Sequence, residues 1–447
     1  MKRHLWGNCC WILLVSLLAS CAGGDATDGA ARIAAQAAVA PGLEFMPGDR
    51  TGGLPPDALI RNGLLRHPLI AEAAEEITVS AAELRRSRSS LYPRVEMGIA
   101  GGISTADSGD EPSIQLTTSQ LLTDFGQSGL AIARADLNIL ISHTEFQIAV
   151  GDVIKEVVGA VLEVQSARAL VSLRTEHLER MHDLRSRLQQ RRIAGASSEP
   201  EVLEMERKYA DAELRLNEAS LVLAEAELVL MELAGGGRLS GTLAPPTRGS
   251  AHTDGQEGPE VALARMQLDA AQIDLELARR ARLPRVAIEG VAEQPLDGSA
   301  VHVGLRVNLG SRLFEGGGIR AQIEAAEGRV TARGAALERS LQDYRLDQAR
   351  LERQRATLTQ RQNVLARQIA LADDARRLYL NQYFDLGTRD LLDLLRAEED
   401  YFELQADLLA ARIELISVEW VFSVKSGNML HSLGIADRSV GGVPLSL

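Results

Sequence analysis

The sequence predicts a mainly α protein with a small β part, built from two copies of one helix–strand–strand–long-helix–return-helix unit. Three observations carry this. Long stretches lack proline and are rich in Glu, Arg, Leu and Ala; only 4% of the 447 residues are aromatic and 24% are charged, which suits long helices better than a compact enzyme core. The chain also repeats itself. "RSSLYPRVEMG" (88–98) matches "RARLPRVAIEG" (280–290), "LTDFGQSGLAIARA" (122–135) matches "LFEGGGIRAQIEAA" (313–326), and "AGASSEPEVLEME" (194–206) matches "LGTRDLLDLLRAE" (386–398), at offsets of 191 (Pro93 set on Pro284), 191 and 192. Finally, "VHVGLRVNLG" (301–310) alternates apolar and polar residues, the pattern of a half-buried strand.

Taken in chain order, residues 1–20 read as a lipoprotein signal peptide. Lys2 and Arg3 precede the apolar run "WILLVSLLAS", which is too short to span a bilayer. "LASC" (18–21) resembles a lipobox, which makes Cys21 the expected lipidation site, carrying palmitate; Ala22 is not the Asp of an inner-membrane retention signal. The other two cysteines, Cys9 and Cys10, fall within the signal, so no disulfide or thiol chemistry is expected. Residues 21–54, rich in Ala and Gly, read as a lipidated tether.

The first repeat is expected over 55–234. A helix near 56–90 stops at Pro93, strands follow at about 94–104 and 113–122, and helices fill about 127–233 with a turn at Gly195. Residues 235–258, rich in Gly, Pro and Ser, link the halves. The second repeat is expected over 259–430: a helix near 259–282, Pro284, strands at about 285–294 and 300–309, and helices over about 318–427 with a turn at Gly387. Residues 431–447 read as a C-terminal tail.

The long helices carry heptads. Leu337, Tyr344, Leu351, Leu358, Leu365, Ala372 and Tyr379 recur every seven residues, and Phe146, Val150, Val153, Val157, Ala160 and Val164 follow a 4-3 spacing. The polar residues Gln348, Arg355 and Gln362 beside the first seam suggest a helical wall around water. The strands have the length that crosses a bilayer when tilted. Unpaired edges in hydrocarbon are too costly, and four strands cannot close alone, so copies of the chain must pool them. Two copies give eight strands and three give twelve.

The ordered set of "TDFG" (123–126), "LFEGG" (313–317) and "LGTRDLLDLL" (386–395), within this duplicated plan from about 56 to 430, resembles the TolC family of outer-membrane channel proteins. The resemblance implies a homotrimer with a twelve-stranded outer-membrane β-barrel continuous with a periplasmic α-helical coiled-coil barrel. It also implies an exit duct served by a periplasmic adaptor (membrane fusion) protein and an inner-membrane RND or ABC transporter. "TDFG" leans toward type I secretion and the lipobox toward efflux.

For the periplasmic gate, the resemblance implies Arg389 and Asp393. Phe384 stands where the family has a gate Tyr, and Arg396 replaces a second aspartate. In the first half Gln190 matches a gate Gln, and Glu201 replaces its Asp partner. Ala194 and Gly195 in "IAGA" (193–196), and Leu386, Gly387 and Thr388 in "DLGT" (385–388), resemble the tips that adaptors grip.

Other function classes fit less well. The net charge of −13 argues against a nucleic-acid partner. "DFG" (124–126) has no accompanying kinase motif, and "EGGG" (315–318) reads as a strand-to-helix joint because its partner "DFGQ" does. His177 and His182 lie five apart and do not share a helix face for metal. No enzyme and no cofactor is expected. A periplasmic adaptor would show one hairpin rather than two, and a structural coiled-coil lipoprotein would not need paired membrane-length strands.

Overall fold

A computed structural model describes residues 29–46, 53–100, 112–246, 258–296, 300–311 and 315–446. The signal segment and Cys21 lie outside them. Helix α1 covers Gly29–Val39, α2 Pro56–Arg66 and α3 Pro68–Ser89. The expected single helix over 56–90 is two. His67 precedes Pro68, and the proline ring excludes it from the α region; it is extended (φ −68°, ψ 126°), and its Nδ1 caps the next helix by accepting from the Leu69 amide.

Strands β1 (Arg94–Ala100) and β2 (Ser113–Thr123) lead into α4 (Gln127–Ile193), and α5 (Glu199–Ala234) returns. Residues 101–104 of the expected first strand lie outside the described residues. The second half repeats the plan with α6 (Pro259–Arg280), β3 (Arg285–Pro295), β4 (His302–Gly310), α7 (Gly318–Asn381), a π-helical turn Gln382–Leu386, and α8 (Leu391–Lys425). At 1.5 Å per residue, α4 and α7 each run about 100 Å.

The four long strands form one antiparallel sheet in the order β1-β2-β3-β4. Its register puts Val95, Met97 and Ile99 on the same face as Leu116, Ile288, Ala292, Val303 and Val307. Val303, Leu305 and Leu309 are each 71% exposed. On the opposite face Glu289 accepts from Arg306 Nε (2.9 Å) and Asn308 Nδ2 (2.5 Å), and Ser113 donates to Glu293 (2.6 Å). The outer edges of β1 and β4 have no partner strand within the described chain.

Each joint from sheet to long helix turns on a left-handed glycine, Gly126 (φ 84°) and Gly317 (φ 90°). At the first joint, buried Asp124 accepts from the Gly126 and Ser128 amides and from the Ser128 hydroxyl, closing the open end of α4.

Below the sheet α4 packs against α3, α5, α6 and α8, and α7 against α6 and α8. The resulting row is α3-α4-α6-α7 near the sheet and α5-α4-α8-α7 toward the far end. Phe146, Val150, Val153, Val157 and Val164 bury in the main core, as their spacing predicts. Leu358 and Leu365 are buried on α7. The polar positions beside them do not simply face water. Gln362 donates to the Ala411 carbonyl of α8 (2.9 Å), Arg355 pairs with Glu419 (3.5 Å), and Gln348 bonds the Tyr344 hydroxyl (2.7 Å).

Three segments read as tether, linker and tail pack onto the body in their described parts. Asn62, fully buried, bonds both the amide and carbonyl of Met46 (3.0 and 2.8 Å). Leu43 and Pro41 pair through backbone with Ser439, next to the β5–β6 hairpin (Ser439–Val440 and Val443–Pro444). Leu239 and Leu243 of the linker are buried, and Trp420 Nε1 donates to the Ala244 carbonyl (3.1 Å). His143 Nε2 bonds the Pro444 carbonyl (2.9 Å), and Ile435 and Leu445 are buried. The physical reason is that a few large apolar side chains in each segment find a core that local periodicity does not reveal.

Phe146 is fully buried at the centre of this core. Phe146→Ala should lower stability by about 3–5 kcal/mol, read as an earlier midpoint in chemical unfolding of the purified protein.

Candidate functional site at the hairpin tips

Both helical hairpins turn at a left-handed glycine, Gly195 (φ 73°) and Gly387 (φ 64°). After α4, the Gly195 amide donates to Arg192 O (3.0 Å) and the Ala196 amide to Arg191 O (2.8 Å), closing the helix end. Ser198 and Glu201 then form a capping box that starts α5. After α7 the chain makes its π-helical turn, and the Thr388 amide returns to Gln382 O (3.0 Å). This turn explains the repeat offset. Gly126 and Gly317 differ by 191 but Gly195 and Gly387 by 192; one extra residue in the second half is absorbed as a π-helical turn.

A separate small core holds the tips together: Met181, Leu184, Leu188, Met205, Tyr383, Leu391, Leu394 and Leu395. Around it, the sequence-predicted residues fall into two groups. Arg389 and Asp393 meet (Nη1–Oδ2 3.1 Å), and Arg389 also reaches Gln382 Oε1 (3.3 Å) and lies over the Tyr379 ring (4.2 Å). These contacts tie the second hairpin to itself. Glu201 instead ties the two hairpins together, accepting from the Tyr383 hydroxyl (3.2 Å).

This hydroxyl lies one residue before Phe384, within the π-helical turn. Phe384 packs edge-on against Tyr383 (4.9 Å). Arg191 completes the tie. It donates to the Tyr383 and Phe384 carbonyls and to Ala196 O, and its guanidinium covers the Tyr383 ring (4.7 Å). Burial works against ionising Glu201, but bonds from Ser198 and Tyr383 and the charge of Arg191 hold its carboxyl below the usual value. Burial pushes the Tyr383 phenol up.

Gln190 is exposed and contributes a backbone carbonyl to Ala194. Arg396 is exposed on α8, where after Arg207 and Lys208 it helps hold Glu204 of α5 below the usual carboxylate value. Ala194, Gly195, Leu386, Gly387 and Thr388 are exposed at the tips, beside Ile193 (83% exposed).

A few turns above the tips lies a charged belt that the sequence reading missed. Glu398 is fully buried, accepting from Arg180 of α4 (3.0 and 3.1 Å) and from Arg376 of α7 (3.1 Å). Arg376 also covers the Tyr401 ring (3.9 Å). Around this pair, Arg174 and Arg215 bind Glu403, and Lys208 and Arg215 bind Glu399. The belt joins α4 and α5 to α7 and α8. Its signal was readable: Leu391, Leu395, Glu398 and Phe402 follow a 4-3-4 spacing, so a carboxylate occupies an apolar seam.

His177, also buried, packs against Phe402 (4.6 Å), and neither ring nitrogen has a hydrogen-bond partner among the described residues. His182 turns instead toward Tyr209 (6.4 Å), so the two histidines diverge as their spacing predicts. Burial, then Arg174 and Arg215, push His177 down to about 4, against the opposing pull of Glu398 and Glu399.

Two long hairpins led by strand pairs, locked at polar tips, define a channel-type architecture. The sequence profile of the outer membrane efflux protein family matches residues 59–236 and 255–417, and the chain belongs to this family. It is homologous to the outer-membrane efflux channels of tripartite pumps. Among solved structures, CusC is 18% identical with a TM-score of 0.74, covering 88% of this chain and 95% of that one. The outer membrane protein VceC of Vibrio cholerae is 18% identical (TM-score 0.73; 85% and 96% covered). The open state of the Neisseria gonorrhoeae MtrE channel is 18% identical (TM-score 0.71; 84% and 89% covered). No curated protein matches the chain.

His177 gives the tip region a pH dependence of definite sign. Its folded pKa lies below its ordinary value of 6.5, so the unfolded chain binds the extra proton between about 6.5 and about 4. The stabilisation is fully present above about 6.5 and is lost as pH falls toward about 4, by on the order of 3 kcal/mol. Unfolding midpoints at neutral and mildly acidic pH should diverge in the native protein and converge in His177→Phe.

Proposed function

We propose that three copies of the chain close into one outer-membrane exit duct that passively conducts substrate from an inner-membrane RND or ABC transporter, through a periplasmic adaptor, to the outside. The observation that carries this reading is the four-stranded sheet, with an apolar outer face and two open edges. Three such sheets make a twelve-stranded barrel, the apolar face meets lipid, and the Glu289–Arg306–Asn308 face meets a wet lumen. The helices extend that lumen into the periplasm. Cys21 is the lipid anchor, auxiliary to the barrel.

In this reading the hairpin tips are the gate. Arg389 and Asp393, with Phe384, Glu201, Gln190 and Arg396 nearby, form the polar ring at the narrow end. Three Asp393 carboxylates around one axis repel, and Arg389 at 3.1 Å offsets that repulsion in each copy. Ala194, Gly195, Leu386, Gly387 and Thr388 are the tip surface that meets the adaptor.

The sheet register supplies one test. Leu305→Arg places a charge on the lipid face and should cost roughly 2–4 kcal/mol and reduce assembly in the outer membrane, whereas Arg306→Leu should be tolerated. Equal tolerance at both positions contradicts the barrel.

Single-channel recording in planar bilayers tests the gate. Arg389→Ser with Asp393→Ser should leave assembly intact and raise resting conductance, and adding Tyr383→Phe should raise it further. An unchanged small conductance in the triple variant contradicts the gate assignment.

A further inference from the structure

Beneath the second half of the sheet, α4, α6 and α7 leave a cleft of about 470 Å³ between them. Gln127 of α4, Arg285 of β3, Gly310 at the end of β4 and Arg329 of α7 line it. The strand register fixes the side on which it opens. Arg285 pairs with Gly310, and both alternate in phase with Glu289, Arg306 and Asn308 on the polar face of the sheet. The cleft therefore continues that polar face toward the helices and lies away from the apolar one.

Its polar groups are unevenly satisfied. Gln127 is only 6% exposed; its Oε1 accepts from Arg285 Nη2 (2.9 Å), while its Nε2 is buried with no hydrogen-bond partner among the described residues. A buried N–H donor without an acceptor is costly. Arg329 is exposed and has no ion-pair partner among the described residues. Asp274 is the one carboxylate among the described lining residues, and Arg134 of α4 already holds it (3.2 Å). The end of α4 is not the source of the imbalance, because Asp124 closes it. Two guanidiniums and an amide N–H are left over, which are donors without an acceptor.

The imbalance belongs to the second half of the chain. Arg94 matches Arg285 in the repeat, but Arg94 has Glu96 of its own strand nearby (3.9 Å). The residue that matches Glu96 is Ala287, so Arg285 has no carboxylate at that position. The wall beside the donors is apolar, formed by Leu277 and Ala281, by Leu283 before β3, and by Ala326 of α7. A space of this size, with an apolar wall and a few convergent donors, suits a small organic molecule rather than a bare ion. Guanidinium donors favour carboxylate, sulfonate or phosphate groups on it.

We propose that this cleft is a station for organic anions in the duct, holding the acidic group between Arg285, Arg329 and the Gln127 amide and the apolar body against Leu277 and Leu283. An anion satisfies donors that the chain leaves without acceptors. An organic cation of the same shape meets two guanidiniums of like charge, so the site discriminates by sign. The station must hold its occupant weakly, because a passage conducts only what it also releases. Its role rests on the duct reading above, to which it adds the charge class of the solutes that pause there.

The test uses the full-length protein purified in non-ionic detergent, with naphthalene-2-sulfonate as the probe. Calorimetric titration should show saturable binding of the sulfonate. The ammonium of the same shape, 2-naphthylmethylammonium, should show none, and inorganic sulfate should bind about tenfold more weakly or less. Gln127→Glu gives Arg285 an internal carboxylate, so it should abolish binding while the thermal midpoint holds. Arg329→Gln should weaken binding by about tenfold. Arg282→Gln, at an exposed arginine outside the cleft, should leave it unchanged.

Equal binding of the sulfonate and the ammonium, or sulfonate binding that survives Gln127→Glu, overturns the proposal. Unchanged affinity in Arg329→Gln does the same, and this variant decides where Gln127→Glu does not assemble. In planar bilayers the sulfonate should add brief closures to the native channel and none to the Gln127→Glu channel. Variant-sensitive binding with no effect on conductance supports the site and overturns its place in the lumen. A protein that binds the sulfonate but forms no channel supports the site and contradicts the duct reading alone.

Discussion

The unpaired hydrogen-bonding edges of β1 and β4 constrain everything below them. In an outer-membrane channel protein, an open sheet edge in hydrocarbon leaves amides and carbonyls unsatisfied at several kcal/mol each. Among the described residues this sheet has four strands, and neither of its outer edges has a partner strand. The helix row beneath the sheet has the same order as the strands above it. Edge strand β4 leads into edge helix α7, and the inner strands β2 and β3 stand over the inner helices α4 and α6.

The two halves are copies in plan but not in use. Both joints need a left-handed glycine because the chain reverses its handedness there between strand and helix, and both tips need one because a helix must end before the chain can return. The halves diverge where the second takes one more residue. That residue has no place in a regular helix that must still end at the same height, so it becomes a π-helical turn. The turn rotates Tyr383 into the small tip core, where its hydroxyl meets Glu201 of the other hairpin.

Above the tips, Glu398 and His177 create different tensions in one layer. Glu398 is a charge in an apolar seam, tolerable because two arginines from two different helices satisfy it; removing either partner would strand a buried charge. His177 is tolerable only while neutral, because it is buried and because Arg174 and Arg215 already supply positive charge beside it. The layer is therefore sensitive both to loss of either arginine and to acid.

By itself the sequence determined the repeat, the strand faces and the glycine turns, because each is written in local spacing: period two in 301–310, period seven along α4 and α7, and a glycine at each point where handedness changes. It also brought Arg389 and Asp393 together, four residues apart where the returning helix begins. Only the tertiary structure decided what lies far apart in the chain. Tyr383, within the π-helical turn, brings its hydroxyl to Glu201 of the other hairpin. Arg180 and Arg376 find Glu398 from helices separated by almost two hundred residues. The segments around Met46, Leu239 and Leu445 fold against the body through isolated side chains that carry no periodicity. Such contacts depend on which helices lie side by side, and that is set by packing of the whole row rather than by any window of residues.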